Sequence, residues 1–206
     1  QNPKIALKHF DFVVCPEHDN LEGPNVLRTK GAIHYLTHEE INNSKDYLLN
    51  KLEKNKDVIT LILGGPNKYY NYDDENMIKI FSIINRMLKD HNLHLVIIPS
   101  NRTPKKTIEF CKEYFTYNRT IVDTVDKSAY LSSLYLAKYI VVTCDSTSMI
   151  SEAALTGKPV YVAMIPALRN DIRFQRFRNL FEKLNIIKKL DNKLETWNYE
   201  KLNEAD

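Results

Sequence analysis

Residues 139–163 run from an apolar stretch (YIVVT) through a hydroxyl-rich turn and a short helical segment to a glycine and a second apolar stretch. No other segment restricts the fold as much. Residues 139–143 are too few to cross a membrane and too continuously apolar for a half-wet strand, so they read as a strand covered on both faces. Asp145, Ser146 and Thr147 follow, with Asp145 or Ser146 able to cap, and residues 148–156 read as a helix. Gly157 is its stop and residues 159–163 are the next strand. Strand, helix and strand on short connections is the unit of a parallel sheet.

The rest of the chain extends that unit. Residues 58–63 (VITLIL), 94–98 and 120–123 read as further strands. Between them, residues 77–88 carry Met77, Ile80, Phe81, Ile84 and Leu88 at helical spacing behind an Asp73 or Asp74 cap. Thr103-Pro104 opens a second helix, residues 129–137 form a third, and residues 170–184 the last. Such alternation predicts an α/β protein: a Rossmann-like parallel sheet with helices on both faces. Upstream, residues 10–15 (FDFVVC) and 25–29 (NVLRT) read as two strands, and Thr37 with Glu40 forms a capping box starting a helix to about Lys54. The polar run 53–57 reads as a linker. The expected division is residues 1–57, a remnant of an N-terminal α/β domain with its linker helix, and residues 58–206, a nucleotide-binding-type domain. The chain starts at Gln1 without Met, and a strand follows soon after, which reads as a piece of a longer or processed protein.

Composition narrows the function classes. A net charge of +3 is too mild to argue for nucleic acid. Three distant cysteines (Cys15, Cys111 and Cys144) offer neither a zinc motif nor a disulfide framework, so no metal is expected and a reducing, cytoplasmic setting is. No apolar run approaches the roughly 20 residues of a membrane helix, which leaves room only for peripheral membrane contact.

Ligands of parallel sheets bind beyond the carboxyl ends of the strands. Three predicted turns lie there. Ser146, Thr147 and Ser148 sit where helix-start amides favour an anion, and Glu152 lies one turn on, where a carboxylate suits ribose hydroxyls. Helix capping and first-turn acid preference explain the same residues equally well. Gly64 and Gly65 let a backbone approach a phosphate closely, or simply end a strand. Arg102 could grip a phosphate with two prongs, or be a solvated loop arginine. Glu17, His18 and Asp19 could be acid–base machinery, or a polar loop. Arg169, Arg173 and Arg176 share a helix face that could meet phosphates or an acidic lipid surface. A surface helix packed by Phe174, Phe177 and Phe181 is the plainer reading. GxGxxG, which a dinucleotide oxidoreductase would carry, is missing, as is a GxSxG elbow around Ser146.

In order, the segments FDFVVCPEHD, GPNVLRTKGAIH, ILGGPN, SNRTP, IVVTCDSTSMISEAALTGKPVYV and RFQRFRNLF, with the closing LETWNYEKLNE, resemble the mitochondrial fission (elongated-mitochondria) family, across nearly the whole chain. That family in turn resembles the glycosyltransferase-B fold, in which two Rossmann-like domains face each other across a cleft. The resemblance implies that residues 58–206 are the second, donor-binding domain. It implies a glycosyltransferase-like protein that binds a nucleoside-diphosphate sugar of the uridine type and needs no other cofactor. Gly64 and Gly65 would be the donor loop, Glu152 would hold ribose, and Ser146, Thr147 and Ser148 would lie by the diphosphate, with Arg102 in support. Glu17, His18 and Asp19 would remain the catalytic candidates on the acceptor side. The plant members imply an alternative, a non-catalytic factor with a protein partner in fission.

Overall fold

The computed structural model describes residues 3–202. Its centre is a parallel sheet of six strands: β3 (Asp57–Leu63), β4 (Leu93–Pro99), β5 (Arg119–Ile121), β6 (Ala137–Thr143), β7 (Val160–Ala163) and β8 (Ile187–Lys189). The spatial order is β5-β4-β3-β6-β7-β8, so the chain starts in the middle, builds one half outward and returns to build the other. β3 and β6 are therefore neighbours at the point where strand order switches. Every residue of β4 is buried, and so is β3 after Asp57, as continuous apolar runs require when both faces are covered.

Alternation sorts those side chains between two cores. Ile59, Leu61, Leu95 and Ile97 belong to the large core with Met77, Ile80, Phe81 and Ile84 of α2 (Asp74–Asp90). Val58, Val96 and Ile98 point the other way, onto Leu48 and Ala129. Asp73 caps α2 by accepting from the Asn76 amide at 2.9 Å. α3 (Lys105–Tyr114), α4 (Lys127–Leu136), α5 (Thr147–Ala154) and α6 (Ile172–Lys183) complete the alternation. α4 runs straight into β6 at Ala137 with no connecting loop. Gly157 ends the α5 turn at φ 71°, a conformation that favours glycine.

Before this sheet lies a two-stranded parallel one, β1 (Val13–Pro16) and β2 (Val26–Thr29), shorter than the sequence suggests. The predicted capping box exists: Glu40 N–H donates to Thr37 Oγ1 at 3.2 Å, and Thr37 N–H donates to Glu40 Oε2 at 3.3 Å. The helix it starts is far shorter than predicted. α1 spans only His38–Asn43, followed by turns and a 3-10 turn at Leu49–Lys51. Asn42, Asn43 and Ser44 compete with helical hydrogen bonding, and this stops the helix where apolar periodicity alone would carry it on. β8 is a strand that the sequence reading missed, because three residues reading IKK give no period to detect.

Candidate functional site

The turns after β3, β4 and β6 meet at the carboxyl edge of the sheet, at the switch in strand order. Asp145 is their hub. Its side chain is fully buried, and Oδ2 accepts from the Gly65 amide at 3.1 Å and from the Arg102 guanidinium at 2.7 Å. Oδ1 accepts from the Tyr72 hydroxyl at 2.6 Å. The Tyr72 oxygen also lies 2.7 Å from Thr143 Oγ1, which in turn accepts from the Gly64 amide at 2.8 Å. Arg102 donates a second bond, to the Gly65 carbonyl at 2.8 Å. Thr103, in the same turn as Arg102, donates to the Leu63 carbonyl at 2.9 Å. Burial, with the Asp145 charge beside it, pushes the Tyr72 phenol far above its ordinary range, so it stays a neutral donor.

This geometry gives the two glycines a specific reason. A Cβ at Gly64 would overlap the Asp145 carboxylate, and one at Gly65 would overlap the Arg102 backbone. Arg102 is not a free loop arginine: two of its N–H groups are engaged while its side chain is 42% exposed.

Beside the hub, α5 begins. Ser146 Oγ accepts from the Met149 amide, so Ser146 caps the helix. Thr147 is buried and Ser148 is exposed. The Thr147 and Ser148 amides, as in any first helical turn, have no carbonyl of their own helix to reach. Glu152, half-buried one turn on, accepts through Oε2 from the Tyr130 hydroxyl. Desolvation first and the Glu152 charge second push the Tyr130 phenol up, so it stays a neutral donor. Lys158 serves structure: its ammonium donates to the carbonyls of Leu134 and Tyr135 at the end of α4. Burial, with Lys201 nearby, brings its pKa down to about 8.

Glu17, His18 and Asp19 form a 3-10 turn after β1, in which His18 Nε2 lies 3.9 Å from Asp19 Oδ1. Glu17 is exposed and borders Arg28 and Lys30. Asp19 accepts from Arg173 Nε. Burial opposes its ionisation, yet the Arg173 bond and charge hold its carboxyl below the usual value. His18 is 2% exposed and packs edge-on against Phe177, 5.2 Å between ring centres. Neither of its ring nitrogens has a hydrogen-bond partner. Burial first and Arg173 second bring its pKa down to about 4, leaving it neutral in the physiological range.

Sequence reasoning missed Tyr72, Thr143 and Tyr130. Thr143 ends an apolar strand and Tyr72 lies in a tyrosine-rich loop, and neither carries a local signal of a contact some 70 residues away. Among the described residues, no group of His, Cys, Asp or Glu has the makings of a metal site, and no helix is long and apolar enough to cross a membrane.

The family model described as mitochondrial fission ELM1 matches residues 1–206. The uncharacterized protein RP120 of Rickettsia prowazekii (strain Madrid E) is 29% identical over 98% of this chain and 68% of its own length. The mitochondrial fission protein ELM1 of Arabidopsis thaliana is 23% identical over 100% of this chain and 54% of its own. The chain thus spans between about half and two thirds of those relatives. Among solved structures, the UDP-GlcNAc 2-epimerase of Neisseria meningitidis, bound to UDP-GlcNAc, aligns with a TM-score of 0.51 at 15% identity. That match covers 85% of this chain and 45% of the epimerase.

Proposed function

The chain belongs to the mitochondrial fission ELM1 family and has a glycosyltransferase-B-like α/β fold, and from that premise we propose that it binds a nucleoside-diphosphate sugar at the carboxyl edge of its sheet. One observation carries this reading: the Gly64–Gly65 turn, Arg102 and the start of α5 are joined around Asp145 at the switch in strand order, where open parallel sheets hold their ligands. In this reading residues 58–206 form the donor-binding domain, and residues 1–57 contribute to the acceptor side. The diphosphate lies on the first-turn amides of α5 and on the exposed Ser148 hydroxyl, where aligned peptide dipoles favour negative charge. Ser146 and Thr147 shape that turn. Glu152 has one oxygen anchored by Tyr130 and presents the other to ribose hydroxyls. Asp145 is scaffold: it fixes the Gly64–Gly65 backbone and orients Arg102, whose remaining N–H groups offset developing diphosphate charge. The UDP-GlcNAc carried by the epimerase supports the choice of a uridine-type donor.

The test is thermal protection by uridine diphosphate. At a hundredfold excess over Kd the melting temperature rises by about 5 to 10 °C. Ser148→Ala and Glu152→Ala each weaken binding by about tenfold, the loss of one hydrogen bond to a charged group. Unchanged affinity in both variants sinks this site assignment.

A second reading rests on the same hub. The Gly65 amide and the Arg102 fork already hold a buried carboxylate, as expected of a fold that keeps its shape and has given up donor chemistry. The protein is then a non-catalytic interaction factor, in line with the name of its Arabidopsis relative. Absence of protection by any nucleotide or nucleotide sugar, together with capture of a protein partner, decides for it.

A further inference from the structure

Glu152 is half-buried, yet among the described residues its carboxylate has no ion-pair partner. Asp145 and Asp171 each have an arginine. Glu152 has a tyrosine instead, with Oε2 accepting from the Tyr130 hydroxyl. Taking a carboxylate out of water costs energy that a cation or several hydrogen bonds normally offset. One phenol leaves Oε1, with its two lone pairs, without a donor from the described residues. The phenol itself is firmly placed. Tyr130 ends the first turn of α4, where Asp126 caps the helix by accepting from the Ala129 amide at 3.0 Å. Further along, Ser132 Oγ accepts from the Leu48 amide at 3.1 Å, and Ser133 Oγ donates to the Tyr130 carbonyl at 2.7 Å. Lys158 ties the last carbonyls of α4 to the turn that follows α5. Tyr130 thus reaches Glu152 from a helix fixed along its length, and one arrangement of the carboxylate is selected before any ligand arrives.

We propose that Tyr130 is a positioning residue that makes this carboxylate selective for a vicinal diol, so that the site takes a ribonucleotide and rejects its deoxy counterparts. The inference rests on the donor reading above and adds to it a residue outside the nucleotide turns. With Oε2 committed to the phenol, Oε1 alone meets the ligand. Its two lone pairs accept two hydroxyls only where these stand side by side on one ring, as the 2′ and 3′ hydroxyls of ribose do. Removing either hydroxyl leaves a half-buried charged oxygen with an unfilled acceptor position, and a site built round a hydroxyl penalises the analogue that lacks it. Released from Tyr130, the Glu152 side chain regains rotamers that binding must order again, and the preference weakens.

The test measures binding of uridine diphosphate, 2′-deoxyuridine diphosphate and 3′-deoxyuridine diphosphate to the whole chain by calorimetry. In the parent, each deoxy nucleotide is expected to bind about tenfold more weakly than uridine diphosphate, the loss of one hydrogen bond to a charged group. Tyr130→Phe, which removes only the hydroxyl, is expected to cut that preference to below about threefold. Tyr161→Phe removes another buried tyrosine's hydroxyl, one bonded to the Glu195 backbone, and is the control for lost stability. It keeps the full preference. Equal binding of the three nucleotides by the parent overturns this inference and leaves the donor reading standing. A full preference retained in Tyr130→Phe does the same, and a lowered melting temperature alongside it would make Tyr130 structural only. Loss of preference in Tyr161→Phe as well would mean that any loosening of the fold suffices, and also overturns the inference. If uridine diphosphate does not bind the parent, the donor reading fails and this inference fails with it.

Discussion

At Gly64 only hydrogen fits beside the side chain of Asp145. The Asp145 carboxylate stands where a Cβ would go, and the same carboxylate holds Gly65 and Arg102. Gly64→Ala must therefore displace a buried charge from three donors. A loss of about 2 to 3 kcal/mol is expected, at the upper end of overpacking costs, and equilibrium urea unfolding measures it. Asp145→Asn keeps the shape but turns an amide donor toward donors, with Arg102, Gly65 and Tyr72 all competing for one carbonyl. Its expected cost is about 2 kcal/mol, because Arg102 can recover solvent contact where a buried partner could not. If Asp145→Asn unfolds at the same urea concentration as the parent, the carboxylate is not the hub described here. These residues show what a sequence can and cannot disclose. Gly64, Gly65 and Asp145 were legible as residues at a strand-ending edge. That they serve one another, before any ligand, became visible only when β3 and β6 were adjacent, some 80 positions apart in the chain.

Elements were legible in proportion to their periodicity. β3, β4 and β6 are predominantly apolar runs, and α2 repeats its apolar face for four turns, so each could be located within a few residues. α1 and β8 were not, because side-chain competition cut the first short and a neighbour's free edge recruited the second. The docking of residues 31–32 on α5 was invisible for another reason: it depends on a serine inside a helix. Ser151 is fully buried, donates to the Thr147 carbonyl at 2.9 Å and accepts from the Ala32 amide at 2.9 Å. A Cβ at Gly31 would press on its oxygen at 2.8 Å. Ser151→Ala keeps the helix, since alanine is the better helix former, and strands the Ala32 amide. The expected loss is about 1 to 2 kcal/mol. Limited proteolysis near residues 31–36 should become faster while β3 to β7 keep their protection from amide exchange. Uniform loss of protection would mean that Ser151 supports the whole sheet instead of one docking point.

For the molecule as a whole, the seam between the two-stranded sheet and α6 is where acid should act first. His18, Asp19 and Arg173 stand there together. His18 has a pKa of about 4 in the folded protein against 6.5 when exposed, so between these values the unfolded chain binds a proton that the folded one does not. Stability contributed by the neutral imidazole is present above pH 6.5 and is lost as pH falls toward 4. Asp19 adds to this at lower pH: its folded pKa lies below 3.8, so its contribution is present above that value and is lost below it. Both signs agree, and stability at the seam falls monotonically with acid. Amide exchange should therefore show β1 and β2 losing protection as pH drops through that window, before β3 and β6, whose buried segments hold no histidine or carboxylate and whose one carboxylate, Asp57, sits exposed at the strand start beside Lys138. His18→Leu separates the two contributions. It removes the upper part of the acid window and leaves the Asp19 part. It should also raise stability at neutral pH by about 1 kcal/mol, because two unpaired buried nitrogens are replaced by apolar surface. A protein that becomes less stable at neutral pH on losing His18 would carry that histidine for its packing against Phe177, and the unpaired-nitrogen account would be wrong.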